Sequence, residues 1–216
     1  MKRQRFPARA VLFDWDGTLL NSFESDSRAF LHMFRSIGIS WGMAELERHY
    51  SPNWHAVYRA AGLPRSTWKE ADRLWREAYM KESPKLLPGA RNVIRRLARR
   101  VTLGIVSSGS RERIQRQLHG FKLSTHFSEC VCAEDAPRRK PDPAPLKLAL
   151  RRLKLRPREC VYVGDAGEDI EMAHRARVRA IGVRGPFPTV AKVLAARPEL
   201  LLDSIAELPD WIDALP

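Results

Sequence analysis

A chain of 216 residues, 44% of them hydrophobic, is long enough to bury a full core and suits one catalytic domain with a modest insert. Lys and Arg number 38 against 25 Asp and Glu, and the formal net charge of +13 attracts anions, steering phosphorylated small molecules and equally favouring nonspecific contact with nucleic acid. No apolar run approaches the ~20 residues of a membrane span, and the three cysteines lack zinc-site or Cys-x-x-C spacing and read as buried reduced thiols.

Met1-Lys2-Arg3-Gln4-Arg5 imitates the basic start of a signal peptide, but the apolar stretch after it is cut at Asp14, so a cytoplasmic protein is expected. That stretch, Ala10 to Phe13, reads as a buried strand and runs directly into Asp14-Trp15-Asp16-Gly17-Thr18. In a pleated strand, residues two apart point the same way roughly 6 to 7 Å apart, so Asp14 and Asp16 can face one small volume suited to a divalent cation or to proton transfer. The plainer reading is a strand entering a polar Asp-Gly turn.

From there to Pro88-Gly89 the pattern is helical. Phe23, Phe30, Phe34 and Ile37 recur at helical spacing and stop at Gly38. Thr67-x-x-Glu70 predicts a capping box opening a helix whose face carries Ala71, Trp75, Ala78 and Tyr79. Between these helices, Arg48-His49-Tyr50-Ser51-Pro52-Asn53-Trp54-His55 breaks at Ser-Pro-Asn. It reads as a helix-helix turn with packed Tyr50 and Trp54, or as a recognition loop.

Strand candidates follow at Val101 to Val106, Cys130 to Ala133, Val161 to Val163 and Ala180 to Val183, with a short last one near Leu200 to Leu202 before a closing helix with Ile205, Leu208 and Ile212. Alternating with amphipathic helices, they predict an α/β fold: a doubly wound parallel sheet with helices on both faces. The second strand ends in Ser107-Ser108-Gly109-Ser110, where amides and hydroxyls at a helix start suit an oxyanion, or merely cap the helix. In Arg139-Lys140-Pro141-Asp142-Pro143, Asp142 is placed to cap a helix opening at Pro143 with Leu146, Leu150 and Leu153 on its apolar face, and Lys140 is either a phosphate-neutralising charge or a solvated surface group. Val161 to Val163 ends in Gly164-Asp165-Ala166-Gly167-Glu168-Asp169, where Asp169 favours the helix dipole while Asp165 has no such structural role at a strand end. Ligands bind such sheets at the carboxyl ends of their strands, where all four segments fall. The basic pairs Arg95-Arg96, Arg99-Arg100 and Arg151-Arg152 are spread along helices without a recognised nucleic-acid module, so a solvated surface is expected and no dedicated nucleic-acid site.

Together and in this order, the four segments resemble the haloacid dehalogenase-like hydrolase superfamily, and within it phosphatases similar to phosphoglycolate phosphatase. The D-x-D-x-T signature falls on Asp14, Asp16 and Thr18, the hydroxyl motif on Ser107, the lysine on Lys140, and G-D-x-x-x-D on Gly164, Asp165 and Asp169. The resemblance implies that Asp14 attacks phosphorus, that Asp16 is general acid and base, and that Ser107 and Lys140 hold the phosphoryl oxygens. It implies Mg2+ held by Asp14, the Asp16 backbone carbonyl, Asp165 and Asp169, with Gly17, Thr18, Ser108 and Gly109 lining the phosphate site. Dehalogenases resemble this pattern but lack an acid two residues after the nucleophile, and transporting ATPases have a lysine there, so Asp16 favours a phosphatase or a phosphomutase similar to beta-phosphoglucomutase. One departure is Asn21, where many relatives carry Asp.

By the same resemblance, residues 21–85 form a small α-helical cap on a core of residues 1–20 and 86–216, with hinges near Asn21 and Leu86-Leu87-Pro88-Gly89. Arg48, His49 and His55 are the expected contacts to the leaving group. The expected substrate is a small phosphorylated metabolite, handled by a monomer or homodimer without a membrane partner. A noncatalytic anion- or nucleic-acid-binding protein on the same scaffold is the alternative from a different class.

Overall fold

The computed structural model describes residues 8–214; the basic start at residues 1–5 lies outside them. In chain order the strands are β1 (Ala10–Phe13), β2 (Leu20–Asn21), β3 (Lys85–Leu86), β4 (Thr102–Val106), β5 (Glu129–Val131), β6 (Cys160–Gly164), β7 (Arg179–Val183) and β8 (Leu200–Leu202). Six of them form one parallel sheet in the order β5-β4-β1-β6-β7-β8. The predicted doubly wound parallel sheet is present. The chain builds outward on one side of β1 through β4 and β5, then crosses to β6 on the other side, so the switch point of the topology lies at β1.

Period-two alternation decides what each strand buries. Val11 and Phe13 of β1 and Val161 and Val163 of β6 pack into one core with α5 (Ala90–Leu97), α6 (Arg111–Gly120) and α10 (Leu208–Ala214). Ala10, Leu12, Cys160 and Tyr162 face the opposite core, with α7 (Ala144–Leu153), α8 (Gly167–Arg175) and α9 (Val190–Ala195). Both faces are covered, which is why these strands read as continuous apolar runs.

Residues 23–79 carry α1 (Phe23–Ser36), α2 (Met43–His49), α3 (Trp54–Ala60) and α4 (Trp68–Tyr79), packed around a hydrophobic cluster of their own that includes Phe30, Phe34, Val57 and Ala71. Gly38 ends the first helical segment in a left-handed conformation (φ +82°) that an L side chain rarely adopts. Leu20–Asn21 pairs antiparallel with Lys85–Leu86, so the two chain crossings between the helices and the sheet run side by side.

Several local expectations are corrected. Thr67 forms no capping box: it closes a 3-10 turn over Arg65–Thr67, its hydroxyl donates to the Pro64 carbonyl at 2.8 Å, and Glu70 pairs with Arg73 instead. The helix after Lys140 starts at Ala144, one residue later than expected, with Asp142 accepting the Ala144 N–H at 2.8 Å. Strand β5 stops at Val131, so Cys130 and Cys132 flank its end, with their free thiols 3.4 Å apart. Phe23 leaves the helical cluster and packs edge-on against Phe187, at 5.2 Å between ring centroids. Many basic residues pair with acids, as Arg96 does with Asp210 and Asp213, at exposed positions where each contact contributes little.

Candidate active site

Asp14 follows β1 directly, its N–H donating to Val163 O at 2.9 Å, and this bond carries the sheet one residue past the strand's end. Three buried carboxylates converge here. Oxygens of Asp14, Asp165 and Asp169 lie within 4.8 Å of one another, and the Lys140 ammonium, 6% exposed, sits 2.7 Å from both Asp14 and Asp169. Burial, and after it the Asp169 and Asp16 charges, push the Asp14 carboxyl up against the opposing pull of Lys140. Burial and the charges of Asp14 and Asp169 push Asp165 well above the carboxylate range. Burial draws the Lys140 ammonium down, but Asp14 and Asp169 outweigh it and hold it raised.

The cluster is therefore short of positive charge, with one ammonium for three carboxylates in a site that disfavours ionisation. An all-oxygen donor set with this deficit fits a hard divalent cation.

The loops are shaped to bring these acids close. A Cβ on Gly17 would meet Asp165 Oδ2 at 2.2 Å, and Gly17 has φ +78°, so only glycine fits there. A Cβ on Gly164 would meet the Asp169 carboxyl at 2.5 Å. Thr18, fully buried, donates to Asp165 Oδ1 at 3.0 Å, and Thr189 donates to the Asp165 carbonyl at 2.6 Å. The Tyr162 hydroxyl lies 3.1 Å from Asp169 Oδ1, and the Ala166 N–H donates to Asp169 Oδ2 at 3.2 Å. Thr18 and Asp169 thus position the wall of the site from behind. Ser107, buried at the end of β4, accepts the Gly109 N–H at 3.0 Å, which leaves its own proton free to donate.

A cavity of about 390 Å³ opens above this cluster and is closed by the helical segment. Asp14, Asp16, Lys140, Asp165 and Ser107 to Gly109 form its floor. Its other wall is aromatic, with Tyr50, Trp54, Tyr58 and Trp75 among the rings that line it. The helical segment is tied down across the cavity mouth. Ser51 donates to Glu168 at 2.9 Å, Lys192 donates to the Tyr50 carbonyl at 2.9 Å, Tyr50 stacks on Phe187 at 4.8 Å, and the Arg139 guanidinium lies 3.6 Å over Trp54.

The structure gathers Asp14, Asp16, Ser107, Ser108, Gly109, Lys140 and Asp165 around one cavity; the expected substrate contacts Gly17 and Thr18, and Asp169 with them, lie behind its wall, and Arg48, His49 and His55 are away from it. Arg48 and His49 are exposed at the end of α2, where His49 stacks on Trp41, and His55 stacks on Trp68 at 4.5 Å. From the same loop it is Tyr50, Ser51, Pro52 and Trp54 that line the cavity. The helix break at Ser-Pro-Asn turns these residues inward.

Two charged groups escaped sequence reading. Arg113 of α6 forks onto Asp16, with Nη1 donating to Oδ1 at 2.8 Å and Nη2 to Oδ2 at 2.6 Å. Burial works to raise the Asp16 carboxyl, but Arg113, by charge and hydrogen bonding, outweighs it and holds the group lowered. In the run Arg111-Glu112-Arg113 nothing marks one arginine as buried; the only local signal is Gly109, whose missing Cβ makes room for the Arg113 guanidinium.

The other is Asp26 in the first turn of α1. Burial first, and then the Asp16 charge, push it up to about 8, against the opposing effects of Arg113 and of the Trp75 indole N–H. Between its ordinary value near 3.8 and about 8, the native protein keeps a proton that the unfolded chain has released, so this group's contribution to stability falls as pH rises through that window. Asp26→Asn is expected to remove that slope and to stabilise the protein at about pH 8.5 by about 1–3 kcal/mol, less than the full shift because the group borders a water-accessible cavity. Urea unfolding of both proteins at about pH 5 and about pH 8.5 measures it; curves that stay parallel would contradict it.

Residues 11–183 match the haloacid dehalogenase-like hydrolase family. A phosphoglycolate phosphatase of Pseudomonas putida is 27% identical over 97% of this chain and 83% of its own length. The pyrophosphatase PpaX of Bacillus cereus is 28% identical, covering 92% of this chain and 93% of its own. Among solved structures, CbbY from Rhodobacter sphaeroides in complex with phosphate superposes with a TM-score of 0.81 at 25% identity, over 93% of this chain and 96% of that one.

Proposed function

This chain belongs to the haloacid dehalogenase-like hydrolase family, and from that premise we propose that it is a phosphatase that releases phosphate from a small phosphorylated metabolite through an aspartyl-phosphate on Asp14. The observation that carries the reading is the convergence of Asp14, Asp16, Ser107 and Lys140 on one capped cavity at the carboxyl ends of the central strands. Two carboxyls, a hydroxyl and an ammonium, which phosphoryl transfer can use as nucleophile, acid and base, and charge-stabilising groups, meet where a parallel sheet binds its ligands.

In the first half-reaction an Asp14 carboxylate oxygen forms a bond to phosphorus as the bond to the leaving oxygen breaks, and Asp16 supplies the proton that the departing alkoxide takes up. In the second, Asp16 takes a proton from a water molecule that attacks phosphorus, phosphate departs, and the Asp14 carboxylate is restored. Ser107 donates its free proton to a phosphoryl oxygen, the Ser108 backbone between β4 and α6 faces the same group, and Lys140 neutralises charge while holding Asp14 in place. Asp14, Asp165, Asp169 and the Asp16 carbonyl would hold Mg2+, which when bound would neutralise charge at the phosphoryl oxygens. Residues 21–85 serve as the cap that excludes water from the reacting atoms, hinged at the β2–β3 pairing.

Leaving-group selectivity belongs to the residues that face the cavity. Trp54→Ala and Ser51→Ala are expected to change the relative kcat/KM for different phosphate esters by about tenfold or more, whereas alanine at Arg48, His49 and His55 together is expected to leave the ranking unchanged. Rates on a common ester panel check both, and a reordering by the triple variant alone would contradict the placement.

The reading itself is tested by phosphate release from phosphoglycolate, pyrophosphate and a set of sugar phosphates, with and without Mg2+. Release that needs the metal and ranks the compounds supports it. Transfer of label from a sugar bisphosphate to a sugar, without release, would replace it with a phosphomutase. Salt-sensitive DNA binding with no turnover of any compound would point to the noncatalytic alternative.

A further inference from the structure

We propose that Arg113 is the positioning residue for Asp16, fixing the orientation in which that carboxyl faces the leaving group and the attacking water; this rests on the assignment of Asp16 as acid and base. A planar guanidinium and a planar carboxylate joined by two parallel hydrogen bonds, at 2.8 and 2.6 Å, have one mutual orientation. A carboxylate offers about four lone-pair sites. Arg113 occupies two of them, the Ser22 hydroxyl approaches the same carboxyl, and Asp16 still lines the cavity.

The pair is lopsided in a way that a structural ion pair has no need to be. The Arg113 side chain is 10% exposed, against 24% for Asp16, so the buried arginine serves a carboxylate that reaches open space. Replacing a buried ion pair with well-packed apolar side chains is often neutral or stabilising, so stability alone does not account for this one.

Three surrounding features fix the arginine itself. Glycine at position 109 leaves the space it fills, since a Cβ there would stand 2.2 Å from Arg113 Nη2. The Tyr79 ring, at the end of α4, lies 5.0 Å beneath the guanidinium, with its hydroxyl 3.4 Å from Nη1. Gln117, one turn on along α6, reaches that same hydroxyl at 3.5 Å. Tyr79 belongs to the helical segment and Arg113 to the sheet domain, so the packing that holds the guanidinium is completed from across the cavity.

The test compares kcat/KM on two substrates, the best alkyl phosphate of the ester panel and p-nitrophenyl phosphate. This constant reports the step that expels the leaving group, and nitrophenolate departs with little need of a proton. The ratio of the two values is independent of how much of a variant is folded. Arg113→Met is expected to lower kcat/KM on the alkyl ester by about 10²-fold and on the aryl ester by less than about tenfold. Arg113→Lys, which keeps the charge but cannot fork, is expected to fall between that variant and the parent. In the double variant with Asp16→Asn, removal of Arg113 is expected to cost nothing further on the alkyl ester, because the group it orients is already gone.

Equal losses on both esters, or losses that multiply in the double variant, would overturn the proposal while leaving the phosphatase reading intact. An Asp16→Asn protein whose ester ratio matches the parent's would remove Asp16 from the acid role, and the proposal with it.

Discussion

Asp14→Asn is expected to reduce phosphate release by about 10⁴-fold or more while leaving the fold intact and raising its stability in metal-free buffer. The substitution keeps the shape of the side chain and removes the nucleophilic oxygen's charge, so no covalent bond to phosphorus forms at a useful rate. Activity and stability should part because Asp14 is one of three buried carboxylates sharing a single lysine, and burial together with the charge of Asp169 opposes its ionisation. Lys140 keeps Asp169 at 2.7 Å as a partner in the variant. Thermal unfolding at neutral pH beside the phosphate assay separates the two effects. A variant that loses activity by unfolding, or one that keeps a tenth of the parent rate, would contradict the assignment.

Removal of divalent metal by exhaustive chelation is expected to take activity to background and to lower the melting temperature, and added Mg2+ should restore both. The site's charge deficit gives the reason for the direction. Asp14, Asp165 and Asp169 offer only oxygen, face one ammonium, and are held together by Thr18, Tyr162 and glycines that admit no Cβ. A cation that binds the native cluster and not the unfolded chain stabilises by about 2.7 kcal/mol at a hundred times its Kd. Thermal denaturation against Mg2+ concentration reads this without substrate, so it stands apart from any choice of ester. Full activity after chelation, or a melting temperature indifferent to the metal, would contradict it.

What the sequence made legible was set by distance along the chain. The strand-end motifs could be read because each acid or hydroxyl terminates an apolar run, and a parallel sheet sends all such ends to one edge. Asp14, Ser107 and Asp165 meet there because they directly follow β1, β4 and β6, and Lys140 reaches them from the loop before α7. Arg113, Asp26 and Phe187 were not legible, because each acquires its role from a partner far away in sequence and carries only the local pattern of a surface helix or a loop. The break at Ser51-Pro52-Asn53 marked the loop correctly but not which of its side chains turn inward: His49 and His55 found ring partners in Trp41 and Trp68, and Tyr50 and Trp54 took the cavity wall. Thr67 shows the same limit at short range, since a capping box and the end of a 3-10 turn share one sequence pattern and differ only in the hydroxyl's partner.

The most direct measurement is rapid acid quenching of the enzyme during turnover of a ³²P-labelled ester, followed by mapping of the labelled peptide. A phosphoenzyme is expected that hydroxylamine cleaves, as an acyl phosphate should be, with its label on the peptide containing Asp14 and absent from Asp14→Asn. Turnover with no labelled protein at any quench time, or label on a peptide lacking Asp14, would contradict it.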